Sequence, residues 1–145
     1  MSSLDEEKKS QDRENNSRDF HYRLLAERSF DLVMVQDIDR RIVYVNNVWV
    51  TALGYTSEES IGKPVTDFIS SEYIEAGKLR NQKRRKGENK SFQYELELIT
   101  KNGAKIPVEA HSSPIQVEDG EIIEVIIVAK DLREKKKTQA ALNDN

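Results

Sequence analysis

The sequence predicts an α+β domain: a five-stranded antiparallel sheet with short helices covering one face. Three observations carry this expectation. Phe92, Tyr94, Leu96 and Leu98 alternate with Gln93, Glu95 and Glu97, the period-two signature of a half-buried strand. Two turn signals, Lys101-Asn102-Gly103 and Glu118-Asp119-Gly120-Glu121, separate this run from two further apolar runs. Tight turns make consecutive strands antiparallel neighbours. Two short β-branched runs, 32–35 and 42–45, add a hairpin that cannot bury its face alone.

The elements follow in order. Residues 1–19 carry Leu4 as their single large aliphatic and form a polar extension. Phe20, Leu24 and Leu25 recur at helical spacing, so a short amphipathic helix covers 20–28. After the first hairpin, Asn46 or Asn47 caps a helix that runs through Leu53 and stops at Gly54. Thr56 with Glu59 forms a capping box for a second helix, which Gly62-Lys63-Pro64 ends. A short turn of helix spans 66–69. The longest helix runs from Ser71 to Lys86, with Tyr73, Ile74, Ala76 and Leu79 as its apolar stripe. Ile106, Val108 and Ala110 alternate on the fourth strand. The run 122–129 is the most apolar and is expected at the centre of the sheet. From Leu132 the chain turns helical and charged. The domain is therefore placed at 20–132, with a linker helix over 133–145.

Composition closes several functional classes. The 145 residues contain no cysteine and two histidines, His21 and His111, so disulfide, thiolate-metal and cysteine-nucleophile chemistry are absent and no metal site is expected. No Walker loop, dinucleotide glycine fingerprint, metalloprotease histidine pair or nucleophile elbow occurs. Glu95, Glu97 and Glu109 could meet across adjacent strands, but a solvated outer face accounts for them. The chain reads as a non-enzyme. Its net charge of −3 argues against nucleic acid as the main partner. No apolar run spans a bilayer, and the expected setting is cytoplasmic.

Several local signatures, in order, resemble the PAS domain family, across Phe20 to Leu142. They are Phe30-Asp31 before the first strand, Tyr44-Val45-Asn46 after the second, and Leu53-Gly54-Tyr55-Thr56 followed by Glu58-Glu59 and Ile61-Gly62-Lys63. Lys101-Asn102-Gly103 resembles the family's hairpin, and Asp131-Leu132-Arg133-Glu134 its exit into a signalling helix. The resemblance implies a curved, PAS-like sheet cradling a pocket beneath the short helices. It also implies a sensory module that dimerises through flanking helices and relays to an output domain, such as a histidine kinase or another sensory domain. Two positions depart from the family pattern. Arg40 stands where a glycine is common, so a positive φ there would strain it. Arg133 stands where a threonine is usual.

The resemblance also frames the cofactor. Covalent flavin needs a cysteine, which this chain lacks. Haem is disfavoured because the longest helix has no histidine, and non-covalent flavin is disfavoured too. A small-molecule ligand remains open. Trp49, Asn46, Asn47 and Ser112 are its candidate contacts, although Trp49 also reads as a core residue and Asn46 as a helix cap. Candidate interface residues are Phe20, Leu24, His111, Leu132 and Leu142, with His111 on the open side of the sheet. Lys78, Arg80, Lys83, Arg84, Arg85 and Lys86 form a basic patch. A nucleic-acid or acidic-lipid surface is the sharp reading of it; a solvated helix end, favourable to the helix dipole, is the simpler one. A ligand-free dimerisation domain and a nucleic-acid-associated regulator are the alternatives to the sensor.

Overall fold

The computed structural model describes residues 23–143; the expectations for Phe20 and the 1–19 extension lie outside them. Strands β1 (Leu32–Asp37) and β2 (Ile42–Val45) form the first hairpin, and β3 (Phe92–Ile99), β4 (Lys105–Gln116) and β5 (Ile122–Asp131) the second run. They make one five-stranded sheet in the order β2-β1-β5-β4-β3. All neighbours are antiparallel, and β5 is central. The apolar run 122–129 sits there because a central strand must bury more side chain than an edge strand.

Helix α1 covers 23–28. Helices α2 (Asn47–Leu53) and α3 (Ser57–Ser60), two 3₁₀ turns (Val65–Phe68 and Ser71–Tyr73) and α4 (Ile74–Arg85) separate β2 from β3. Local chemistry sets their limits. The Asn46 side chain accepts from Trp49 N at the start of α2, and Gly54 ends it at φ 83°. Thr56 and Glu59 form the expected capping box.

The segment between α3 and α4 is stitched to both edge strands. Ile42 N donates to Lys63 O at 2.9 Å and Gly62 N to Ile42 O at 2.7 Å. On the other side Ser70 N donates to Glu97 O at 3.1 Å, and Ile69 bridges to Leu98. These bonds satisfy edge-strand groups that would otherwise stay unpaired, and they hold the helical layer at a fixed height over the sheet. Beneath it Leu32, Ile42, Trp49, Leu53, Phe68 and Val108 form part of the core. Trp49 and Tyr55 each meet Phe68 edge-on, with centroids 5.7 and 5.1 Å apart.

The other face of the sheet is not bare along its middle. Val33 and Val35 are buried although they alternate with Leu32, Met34 and Gln36, which face the helices. Ala26 and Leu132 are buried as well. Leu132, read from the sequence as an interface residue, is therefore a core residue: Leu132 N donates to Pro107 O, and the chain tucks it in before α5 (Arg133–Asn143) begins.

Candidate functional site

A cavity lies between the sheet and the helical layer. Its volume is about 50 Å³. The sheet supplies an apolar floor from β1, β3, β4 and β5, including Leu32, Leu96, Val108 and Ile127, and Trp49 closes one side. The polar wall comes from Arg40 in the first hairpin and from Arg80, Asn81 and Arg84 on α4, with Gln36 beside them.

The α4 wall follows from helical spacing. Gly77, Arg80, Asn81 and Arg84 stand at i, i+3, i+4 and i+7 and so share one face. That face points inward: Gly77 is buried, and Arg84 is only 4% exposed. The apolar stripe expected for this helix does not form its buried face. Tyr73 and Ile74 are half-buried, but Ala76 is exposed and Leu79 is 51% exposed. A cationic face replaces it because its arginines find partners that accept charge. Arg80 lies over the Tyr94 ring at 3.5 Å and Arg84 over Phe92 at 4.9 Å. Arg84 Nη2 also donates to Ser112 Oγ at 2.9 Å and to Ser112 O at 3.3 Å.

The basic patch is consequently split. Arg80 and Arg84 turn into the protein, while Lys78, Lys83, Arg85 and Lys86 face solvent. Arg85 forms a short ion pair with Asp39, which thins the outer charge further.

Arg40 enters the cavity from a strained backbone, at φ 65°, and is the one non-glycine residue in the left-handed region among the described residues. This is the conformation anticipated from its place in the hairpin, and it costs about 1–2 kcal/mol for an L-residue. Its guanidinium lies against Gly77: a Cβ there would stand 2.6 Å from Arg40 Nη2 and 3.6 Å from Arg80 Nη2. Glycine at 77 thus gives the two guanidinium groups room to meet. Burial, then the nearby Arg80 charge, lowers the Arg40 pKa. The Arg84 pKa is lowered by burial first, with Arg80 adding to it. Both side chains stay cationic, because guanidinium is far too basic to lose its proton here.

Two polar atoms of this wall, Arg84 Nε and Asn81 Oδ1, are buried without a hydrogen-bond partner. Asn81 Nδ2 donates to Ile38 O at 3.2 Å, which fixes the amide's orientation. An unmet buried donor or acceptor costs about 1–3 kcal/mol.

The residues proposed from the sequence distribute unevenly around this cavity. Trp49 lines it and is also core. Ser112 is fully buried and anchors Arg84. Asn46 does not reach the cavity, because its side chain is spent on Val33 N, Trp49 N, Ala26 O and Asp31 O. Asn47 is exposed at the start of α2, with its backbone N–H on Glu27. His111 lies on the outer face, 3.2 Å from Glu109. Leu24 and Leu142 are exposed. Among the described residues no cluster of histidine and carboxylate groups could hold a metal ion.

Comparison with known proteins places this geometry in a family: residues 31–134 match the PAS domain family. The chain belongs to that family. The PAS match covers the whole sheet and every helix of the cavity roof. The chain is 29% identical over 98 residues to the biofilm dispersion protein BdlA of Pseudomonas aeruginosa; that stretch is 66% of this chain and 23% of BdlA, so the chain spans under a quarter of that relative. Its fold resembles the PAS domain of a Colwellia psychrerythraea protein, with a TM-score of 0.65 at 22% identity over 75% of this chain and 92% of that one. It also resembles a domain of a sensory box sensor histidine kinase/response regulator from Geobacter sulfurreducens, with a TM-score of 0.61 at 23% identity over 79% and 94%. These likenesses establish the PAS fold, and the family establishes a sensory domain. Among the described residues no helix is long and apolar enough to cross a membrane.

The PAS domain's exit is built on β5. Ile127 and Ala129 of this strand line the cavity, and two residues later Asp131 grips the first residue of α5. Its carboxylate accepts from Arg133 N at 2.9 Å and from Arg133 Nη2 at 2.7 Å. Burial pushes the Asp131 pKa up, but the Arg133 bonds outweigh it and hold the carboxyl below its ordinary value. Arg133 therefore supplies an ionic anchor at the position where the family usually has threonine. Farther along, Lys136 Nζ lies 3.6 Å from Glu95 Oε2 on the outer face of β3.

Proposed function

We propose that this chain is a regulatory, non-catalytic sensor that binds a small ligand in its cavity and relays occupancy through β5 to α5. The observation that carries the reading is the continuity of one strand. β5 lines the cavity with Ile127 and Ala129 and ends at the Asp131–Arg133 anchor of α5. A ligand that favours one position of β5 must shift α5 by its differential affinity for the two positions.

The signal leaves through α5 to an output domain, such as a histidine kinase or a further sensory domain. The domain occupies 20–132, works in the cytoplasm and homodimerises through its flanking segments. Exposed apolar residues at the N-terminal flank favour the dimer: Phe30 is 97% and Leu25 70% exposed. The nucleic-acid reading loses support because two of its cations face inward.

The chain has no cysteine, so paired spin labels can be introduced cleanly. Labels at Gln93→Cys on β3 and Gln139→Cys on α5 report the helix position. Native mass spectrometry of freshly purified protein identifies any occupant. The reading predicts a bound small molecule and a change in label distance once it is stripped. Unchanged distances between loaded and stripped protein would refute the relay.

A further inference from the structure

Three cations share this small cavity. Arg40, Arg80 and Arg84 line it, and among the described residues no carboxylate does. Among the described residues no ion pair involves any of the three. Arg84 Nε is a buried donor with nothing to donate to. Arg40 is kept in a backbone conformation that glycine would adopt without strain, and strain of this kind collects at binding sites.

We propose that the cavity binds a short organic acid through its carboxylate. This deepens the sensory reading and rests on it. A carboxylate is planar and presents two oxygens, which match the fork of a guanidinium. Its tail would lie on the apolar floor of Leu32, Leu96, Val108 and Ile127. An anion here also relieves the repulsion between Arg40 and Arg80, which meet beside Gly77.

Size sets the class. The cavity is small, about 50 Å³, so the acid is a short one, and butyrate serves as its probe. A hydroxyl on that acid would meet the unpaired Asn81 Oδ1. Free phosphate fits the site less well. Phosphate has four polar oxygens and no apolar tail, so part of it would be left here without hydrogen-bond partners. Most of the wall is also apolar.

The test is calorimetric titration of the full chain, stripped of any occupant, with butyrate, 2-hydroxybutyrate, butyramide and inorganic phosphate. Butyrate and 2-hydroxybutyrate are expected to bind one per chain, the hydroxy acid more tightly. Butyramide and phosphate are expected to bind at least about ten-fold more weakly. Arg40→Gln and Arg80→Gln are each expected to weaken butyrate by about ten- to a hundred-fold. Arg84 is buried and braces β4, so the partly exposed Arg40 and Arg80 carry the test, with circular dichroism confirming the fold. Butyramide binding as tightly as butyrate, phosphate binding in place of the acids, or undiminished butyrate binding in both variants would overturn the assignment. The relay is read separately: a neutral occupant that moves α5 sinks this inference alone, and bound butyrate that leaves α5 still sinks the relay alone.

Discussion

Replacing Arg40 by glycine should make the ligand-free protein more stable. Arg40 holds φ 65°, which costs an L-residue about 1–2 kcal/mol relative to its preferred regions. Glycine removes that cost but adds freedom to the unfolded chain, worth about 0.4–1 kcal/mol in the other direction. The change also removes the cation whose pKa the nearby Arg80 charge helps lower, and with it that repulsion. The net expectation is a gain of about 1 kcal/mol. For a domain of this size that raises the thermal midpoint by about 4 °C. Calorimetry of stripped parent and R40G proteins measures it, and the same proteins titrated with butyrate should show the affinity lost as stability rises. A lower or unchanged midpoint in R40G would mean instead that Arg40 braces α4 more than its backbone strains the hairpin.

Other consequences follow from named contacts. Gly77→Ala places a methyl 2.6 Å from Arg40 Nη2, the far end of a flexible side chain, while improving helix propensity by about 1 kcal/mol. Its thermal midpoint should hold or rise and its butyrate affinity fall; affinity equal to the parent's would show that Arg40 does not need this gap. Asn46→Ala removes a helix cap, leaves Val33 N and Asp31 O without its side chain and Ala26 O with Ser29 N alone, so a loss of about 3 kcal/mol is expected in urea unfolding. A loss below about 1 kcal/mol would deny that Asn46 ties α1, β1 and α2 together. Asp131 titrates lower in the folded chain than its ordinary value of 3.8. The stability it adds is therefore fully present above that value and is lost as pH falls through the lower folded one. Asp131→Asn should remove this part of the acid sensitivity, an effect within about 1 kcal/mol because the pair is partly exposed. Superimposable stability profiles of parent and variant between pH 2 and 5 would contradict the anchor.

The sheet was legible in the sequence because strand alternation and turn chemistry are local. Phe92 to Leu98, the Lys101-Asn102-Gly103 turn and the caps at Asn46 and Thr56 needed only neighbouring residues to be read. The central place of β5 followed from its apolar run. The cavity was far less legible, because its character depends on which way α4 faces. Apolar residues normally mark the inner face of a helix, so Arg80 and Arg84 read as solvated charge and Leu79 as core. The reverse holds because Phe92, Tyr94 and Ser112, all on other strands, accept the guanidinium groups. One signal was present: Gly77, Arg80, Asn81 and Arg84 share a helical face without a single acid, opposite a strand with inward aromatics. Leu132 misled for a related reason. It reads as an interface residue where the chain turns helical, yet the chain buries it before α5 starts.

In the function proposed above, the inward arginines of α4 form a ligand-responsive site coupled to the exit helix. Nuclear magnetic resonance of the arginine Nε–H groups tests it most directly. Arg84 Nε–H is expected to exchange slowly and to shift when butyrate is added, together with the backbone amides of Leu132 and Arg133. An Arg84 signal that exchanges as fast as that of exposed Arg85, and stays unmoved by butyrate, would contradict it.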